Sequence, residues 1–126
     1  MNPSHLVLVG VGGFLGAIAR YAVSQALQGL LGARWPLGTF VINVTGCFAI
    51  GFVLTLIGER VLAHDAWRYL VPIGFIGAYT TFSTYAWEAT QLVDEGAWLR
   101  AGAYVVLSSA AGFAAVWAAS AAARRL

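Results

Sequence analysis

Residues 74–85 read Gly-Phe-Ile-Gly-Ala-Tyr-Thr-Thr-Phe-Ser-Thr-Tyr, inside a stretch, 69–87, that carries no charged side chain. Four aliphatic hydroxyl groups fall within five positions: Thr80, Thr81, Ser83 and Thr84. Clustered hydroxyls and the two glycines before them weaken a helix. At membrane depth a break is tolerated only where the backbone is buried in protein or lines a water-filled cavity. We predict a helix broken near its middle; hydroxyls that merely bond to carbonyls four residues earlier are the alternative.

The composition around this stretch is that of a membrane protein. Of the 126 residues, 60% are hydrophobic and 10% are charged, and the mean hydropathy is +0.79. A soluble domain has about 45–50% apolar and about 25% charged residues. The seven basic residues are arginines spread along the chain, so they form no patch of the kind that nucleic acid needs. These values argue against a soluble enzyme, a disordered regulator and a nucleic-acid-binding protein.

Uncharged or nearly uncharged stretches predict four membrane spans, at about residues 6–31, 36–58, 69–92 and 99–123. Each can cross the bilayer, because about 20 apolar residues span about 30 Å of hydrocarbon. We expect one transmembrane domain over 1–126, with no room for a catalytic domain and therefore no enzyme activity. The first span is too long for the apolar core of a signal peptide and follows no basic residue, so we expect it to be retained.

The residues at the span ends bear on orientation. Tryptophans stand where interfacial aromatic residues belong, at Trp35, Trp67 and Trp98. With four spans, one side of the membrane carries Arg60, Arg68, Arg124 and Arg125, and the other carries Arg34 and Arg100. The positive-inside rule needs a clearer bias to fix the topology. Insertion in both orientations with antiparallel pairing, and ordinary insertion with cytoplasmic termini, are equally compatible with these charges.

Small residues recur at helical spacing in the first and fourth spans. Gly12 and Gly16 are four residues apart, and the fourth span carries a stripe of alanines at 111, 115, 119 and 123. Such positions let helices approach closely. Because four short helices make a thin bundle, we expect oligomerisation, although these small residues could equally serve packing inside one chain.

Residues 7–16 contain a glycine-rich stretch that is similar to a dinucleotide-binding turn. The fingerprint requires glycine or alanine where this chain has Leu15, and an acidic residue about 20 positions later, whereas the first acidic residue is Glu59. We interpret the glycines as packing residues. No His-rich or Cys-rich metal motif and no Ser/His/Asp set stands in the sequence, and the single cysteine, Cys47, cannot form an internal disulfide.

Polar side chains inside the spans are the candidates for function. Arg20 and Glu88 are the ionisable ones, and such residues are functional candidates by default. Snorkelling to the interface, or pairing with each other, is the structural alternative. Asn43 brings two donors and one acceptor into hydrocarbon and must find partners there, for which a helix–helix hydrogen bond is an equally common reason.

Three motifs resemble the CrcB/Fluc fluoride channel family. They are Gly12-Gly13-x-x-Gly16-Ala17-x-x-Arg20-Tyr21, Gly38-Thr39-x-x-x-Asn43-x-x-Gly46 and Gly74-x-x-Gly77-x-x-Thr80-Thr81-Phe82-Ser83-Thr84. The resemblance covers three of the four spans. It implies an all-α membrane protein with four transmembrane helices per subunit, the third broken near its middle, in an antiparallel dual-topology homodimer. It implies passive export of cytoplasmic fluoride through a bacterial inner membrane.

The resemblance also implies roles for individual residues. The pore asparagine of the family corresponds to Asn43, and its two facing phenylalanines correspond to Phe82 and Tyr85, a position where the family usually has phenylalanine. A structural sodium ion at the dimer interface, held by main-chain carbonyls, corresponds to Gly77 and Thr80. Residues similar to the polar track of the family are Glu88, Tyr104 and Ser108.

Physical chemistry accords with a fluoride pathway along these residues. Fluoride is small and tightly hydrated, so compact donors must replace its water; such donors are the Asn43 amide and the hydroxyls of Ser83, Thr84 and Ser108. The positive edge of the Phe82 ring suits an anion. The chain has no lysine, and a fixed lysine would hold fluoride too tightly for conduction. We assign supporting roles to Arg20, Thr39 and Glu88.

A proton-coupled small multidrug or guanidinium exporter of the same size and dual topology is the alternative function. It requires a carboxylate in the first span, whereas that span carries Arg20 and no acidic residue. A non-transporting assembly subunit is a third class, which would need neither Asn43 nor a polar break.

Overall fold

A computed structural model describes residues 2–31, 36–59, 61–62 and 64–126, and all regular structure in this part of the chain is helical. Helix α1 runs over Pro3–Leu31 and α2 over Leu37–Gly58. The third segment consists of α3, residues 66–79, and α4, Phe82–Asp94; α5 runs over Trp98–Ala123. Helices α1, α2 and α5 are each long and apolar enough to cross a membrane. The all-α prediction is confirmed.

The third segment is interrupted at Thr80 and Thr81. Both residues have extended backbone, with φ −81° and ψ 158° at Thr80 and φ −150° and ψ 111° at Thr81. The Thr80 hydroxyl does donate to the carbonyl of Ile76, four residues earlier, at 3.0 Å. The helix nevertheless ends one residue before Thr80, so the predicted break is present.

Helix α3 is not uniform. An α-helical turn, Ala66–Arg68, leads into a π-helical stretch, Tyr69–Ile76, and a last α-helical turn, Gly77–Tyr79. Pro72 lies inside the π-helical stretch. Proline has no N–H, and its ring excludes the carbonyl four residues earlier, so Pro72 is a physical reason for the wider turns.

Helix α1 packs directly on the π-helical stretch through glycines on both sides. A Cβ atom on Gly12 would meet the carbonyl oxygen of Leu70, and one on Gly16 would meet that of Phe75. On α3, a Cβ atom on Gly74 would lie 2.9 Å from the carbonyl oxygen of Val9. Gly74 is therefore a contact with α1 in addition to being one of the two glycines that precede the break.

Helix α2 packs on α5, again through small residues. A Cβ atom on Gly51 would lie 2.6 Å from the carbonyl oxygen of Val116. Two alanines of the predicted stripe, Ala119 and Ala123, are buried inside the chain. The small residues of the first and fourth spans thus have contacts within one chain, and none of these contacts bears on oligomerisation.

The interfacial tryptophans are described in part. Trp67 and Trp98 are exposed at the starts of α3 and α5. Trp35, Arg34 and Arg60 lie outside the described residues.

Candidate functional site

The break is held by a side chain of α2. The carboxamide of Asn43 accepts a hydrogen bond from the Thr81 N–H at 2.8 Å and donates one to the Thr81 carbonyl at 3.0 Å. Thr81 is buried, with 7% of its surface exposed. Buried backbone groups need partners, and one amide supplies both. The structural alternative for Asn43, a hydrogen bond to a neighbouring segment, is therefore present.

Two further contacts with α2 flank this one. The methyl group of Thr80 lies against Gly46, where any Cβ atom would collide with it. The hydroxyls of Tyr79 and Thr45 are 3.0 Å apart. The side chains of Asn43 and Thr45 and the backbone at Gly46 thus contact three consecutive residues, 79–81, so α2 supports the break along its whole length.

Thr81 also begins the second half of the segment by capping α4. Its hydroxyl oxygen accepts from the Thr84 N–H at 3.2 Å and donates to the Thr84 hydroxyl at 3.0 Å. A threonine in this N-cap position satisfies a donor that has no partner inside the helix. Because Thr84 accepts the proton of Thr81, its own hydroxyl proton is left to donate elsewhere.

At the break, the N–H groups that would bond to the Gly77 and Thr80 carbonyls in a continuous helix bond to side chains. In a continuous α-helix the Gly77 carbonyl accepts from the Thr81 N–H, and the Thr80 carbonyl accepts from the Thr84 N–H. Here the Thr81 N–H bonds to Asn43 and the Thr84 N–H bonds to the Thr81 hydroxyl. Carbonyl oxygens are ligands for hard cations. The two carbonyls predicted to hold sodium are thus among the four, those of residues 77–80, that lack a helical donor at the break, and the residues present fit such a site.

Three aromatic rings form a row that starts just after the break. The ring centroids of Phe82 and Tyr85 are 5.7 Å apart, and those of Tyr85 and Tyr104 are 5.2 Å apart. Both pairs are tilted, by 48° and 55°. Phe82 and Tyr85 thus share one face of α4, and the row continues across to α5.

At the far end of the row, Glu88 joins three helices. Its two carboxylate oxygens each accept one hydrogen bond at 2.8 Å, from the Thr39 hydroxyl and from the Tyr104 phenol. Thr39 and Tyr104 are both buried. Glu88 is thus satisfied by hydroxyls rather than by Arg20, which is half-buried on α1.

Ser108 lies one turn after Tyr104 on α5. Its hydroxyl oxygen is buried and has no hydrogen-bond partner among the residues that the structure describes. A buried polar group without a partner costs about 1–3 kcal/mol. Such a group requires an explanation, and a ligand or a water molecule beside it supplies one.

The start of α4 presents polar groups outward. Ser83 and Thr84 are exposed, and Phe82 has 79% of its surface exposed. Within hydrocarbon, exposed hydroxyls next to a helix break require protein or water beside them. The face formed by Phe82, Ser83 and Thr84 is called the break face below.

The sequence did not predict three contacts between α2 and the break: Asn43 with Thr81, Thr45 with Tyr79, and Gly46 with Thr80. In the sequence, Thr81 stands out only as a member of the hydroxyl cluster. Among the described residues, no group of three His, Cys, Asp or Glu side chains is placed to hold a metal ion.

Comparison with known proteins identifies the family. The sequence model of the family described as CrcB-like protein, Camphor Resistance (CrcB), matches residues 7–120. The chain belongs to the CrcB family. A protein of Solibacter usitatus named fluoride-specific ion channel FluC is 45% identical to it over 119 residues, which are 94% of this chain and 98% of that protein. A protein of the same name from Acidobacterium capsulatum is 49% identical over 109 residues, 86% of this chain and 87% of that one.

The match to the CrcB family covers all the residues that form the site. The matched residues include the α2 contacts, the break and the aromatic row as far as Ser108. The resemblance to the family, drawn from motifs in three spans, is confirmed by a match that also covers most of the fourth.

Proposed function

We propose that this protein is a channel that lets fluoride leave the cytoplasm passively and so reduces its toxicity. The observation that carries the proposal is the row of rings Phe82, Tyr85 and Tyr104 that starts at the break, together with the buried, unpartnered hydroxyl of Ser108 one turn after Tyr104 on α5. The CrcB relatives named fluoride-specific ion channel FluC support the same ion. A channel of this kind is a transporter and needs no catalytic group.

The donors near the break suit a small anion. The Thr84 hydroxyl has a proton left to give, and the Asn43 amide nitrogen has a second hydrogen beyond the one given to Thr81. The buried Ser108 hydroxyl can donate without breaking an existing hydrogen bond. These neutral donors stabilise fluoride while leaving it able to depart, which conduction requires.

The aromatic row offers ring edges rather than hydrogen bonds. Ring edges carry partial positive charge, and the tilt between neighbouring rings turns edges and faces in different directions. Phe82 contributes only its edge, since it has no polar atom. We assign Phe82 and Tyr85 to the ion pathway on this basis.

Glu88 and Thr39 have a supporting role in the proposal. The Thr39 and Tyr104 protons point to the carboxylate oxygens of Glu88, so Tyr104 faces the pathway with its ring rather than with a free donor. Two hydrogen bonds spread the negative charge of a carboxylate and hold it in place. A fixed Glu88 keeps that charge from turning toward the anion.

A second copy of the chain, inserted in the opposite orientation, completes the proposed channel. The break face supports this, because Phe82, Ser83 and Thr84 stand exposed at membrane depth. The weak arginine bias accords with insertion in both orientations. We propose an antiparallel homodimer in a bacterial inner membrane, surrounded by lipid.

We further propose a structural sodium ion at the break. The carbonyls of Gly77 and Thr80 would hold it, since their helical donors bond elsewhere. The ion would supply positive charge at the centre of the dimer. The chain's own contribution is to keep both carbonyls available and the break extended.

The exporter alternative is not favoured. Helix α1 contains no acidic residue to exchange protons for a cation, and the named relatives are fluoride channels. Fluoride efflux from liposomes that contain the purified protein tests the choice, with chloride and guanidinium as controls. We expect rapid fluoride efflux; guanidinium transport coupled to protons, without fluoride efflux, would establish the alternative.

A further inference from the structure

Resting on the proposed function, we infer that Asn43 is a positioning residue for the cation site at the break. By accepting the Thr81 N–H, it keeps that donor away from the Gly77 carbonyl. Asn43 would then serve two ions at once: it keeps a carbonyl available for sodium, and it offers its remaining amide hydrogen to fluoride.

The Gly77 carbonyl lacks the donor that a continuous helix would give it. The last turn of the helix, Gly77–Tyr79, is α-helical, and the Thr80 N–H still bonds to the Ile76 carbonyl at 3.0 Å. The next N–H in order is that of Thr81, whose helical acceptor would be the Gly77 carbonyl. It is turned instead onto the Asn43 side-chain oxygen at 2.8 Å. The Gly77 carbonyl is therefore available because of Asn43.

The acceptor on α2 is required because Thr81 is buried. If residue 43 had no acceptor, the Thr81 N–H would either remain unpaired, at a cost of about 1–3 kcal/mol, or return to the Gly77 carbonyl and continue the helix. Continuing the helix occupies the carbonyl that the cation needs. An acceptor at position 43 therefore favours the cation-binding conformation.

Thr81 keeps a donor away from the Thr80 carbonyl, as Asn43 does for the Gly77 carbonyl. Its hydroxyl accepts the Thr84 N–H, whose helical acceptor would be the Thr80 carbonyl. The same mechanism thus predicts that position 81 requires a hydroxyl. Serine should replace threonine there, whereas valine, which has the same shape without an acceptor, should not.

These requirements separate positioning from direct contact with fluoride. Asn43→Asp keeps an acceptor for the Thr81 N–H but places a negative charge beside the anion. Asn43→Leu has similar size and no acceptor. A residue that only binds fluoride would make both variants lose flux and leave the sodium site unchanged.

The test measures sodium binding without transport. The purified full chain in detergent is unfolded thermally over a range of sodium concentrations, with N-methylglucamine as the replacement cation. A ligand that binds only the folded state raises the unfolding temperature with its concentration, so the shift yields an apparent sodium affinity. Fluoride efflux is measured in parallel on liposomes containing the same variants.

We expect Asn43→Asp to retain the sodium-dependent shift while losing fluoride efflux. Asn43→Leu should bind sodium roughly tenfold or more weakly, which is the effect of about one competing hydrogen bond on an equilibrium constant. Thr81→Val should weaken sodium binding in the same way, and Thr81→Ser should restore it. Thr55→Val is the matched control, because the Thr55 hydroxyl bonds to the Gly51 carbonyl on the same helix, away from the break.

The outcomes are distinct. A normal sodium-dependent shift in Asn43→Leu overturns the inference and leaves Asn43 a fluoride contact alone, and so does the absence of any sodium-specific shift in the wild type. If Asn43→Leu does not fold, the Thr81→Val and Thr81→Ser pair decides by the same criterion. Failure of the proposed function would appear elsewhere, as a wild-type protein without fluoride efflux.

Discussion

Tyr79 donates a hydrogen bond to Thr45 across the helix interface just before the break, with 3.0 Å between the hydroxyl oxygens. The direction follows from the proton count. Thr45 has one hydroxyl proton, which goes to the Val41 carbonyl at 2.7 Å, so Tyr79 must be the donor. With Asn43 bonded to Thr81, α2 is attached to the residues on both sides of Thr80.

The first prediction concerns this pair. Tyr79→Phe should destabilise the fold by about 1 kcal/mol, the net contribution of one hydrogen bond, and Thr45→Val by at least as much, since it also removes the bond to the Val41 carbonyl. The double variant should cost no more than Thr45→Val alone, because both changes remove the bond between the two hydroxyls. Denaturation of the purified protein measures the cycle, and additive losses would show that the pair contributes nothing.

The second prediction concerns the contact between Gly46 and Thr80. Gly46→Ala would drive a Cβ atom into the Thr80 methyl group and displace the break, so we expect both stability and fluoride efflux to fall sharply. Thr80→Ser removes that methyl group and keeps the hydroxyl that bonds to Ile76. The double variant should therefore regain much of the loss.

Gly58→Ala is the control for that experiment, since a Cβ atom there has nothing within 4 Å. Unfolding temperature and efflux are compared for the four variants. A double variant as damaged as Gly46→Ala alone would exclude the methyl contact as the cause.

The third prediction separates the two rings next to the break. Phe82→Ile retains apolar bulk and removes the ring edge, so fluoride efflux should collapse while the oligomer still forms. Tyr85→Phe should be mild, because it retains the ring and loses only a hydroxyl. Efflux is measured together with size-exclusion profiles. Normal efflux in Phe82→Ile would end the edge-on hypothesis, and losses that follow the amount of oligomer would indicate a packing role.

The fourth prediction concerns Ser108. Its hydroxyl is buried and has no partner in the described part of the chain, so Ser108→Ala removes an uncompensated polar group. We expect the free energy of unfolding to stay the same or rise, because no hydrogen bond is lost. Fluoride efflux should nevertheless fall if the hydroxyl serves the ion. A variant that is less stable and still transports normally would contradict both expectations.

The fifth prediction concerns orientation in the membrane. A cysteine introduced at Leu126, in a chain whose Cys47 is replaced by alanine, should be labelled by impermeant reagents in both inside-out and right-side-out vesicles. The reason is the weak arginine bias between the two sides of the membrane. Labelling in only one kind of vesicle would show a single topology and exclude the antiparallel pair.

The sequence was sufficient for the parts of the structure that depend on composition and local chemistry. Long apolar segments predicted the helices, and the hydroxyl cluster predicted the break at Thr80 and Thr81. Gly12 and Gly16 were correctly interpreted as packing residues. Gly74 was interpreted as weakening the helix before the break, and its contact with α1 is a further role that the sequence did not indicate.

The contacts between α2 and the break could not be predicted in the same way. Helix α2 is apolar over nearly its whole length, so its periodicity does not indicate which side faces which neighbour. The Thr45–Tyr79 hydrogen bond and the contact between Gly46 and Thr80 both depend on which side of α2 faces the break. The π-helical stretch was also missed, because proline inside a helix indicates a kink or an end and does not specify wider turns.

The π-helical stretch has a consequence for insertions and deletions in this gene. Each of its hydrogen bonds spans one residue more than an α-helical one, so the loss of one residue between Tyr69 and Ile76 could be absorbed by a return to α-helical geometry, with the following residues facing nearly as before. A regular α-helix has no such reserve. The loss of one residue from Phe82–Asp94 would rotate everything after it by about 100°, the angle of one α-helical residue. We therefore expect a change of length to be tolerated better before Thr81 than after it, where Glu88 must keep facing Thr39 and Tyr104.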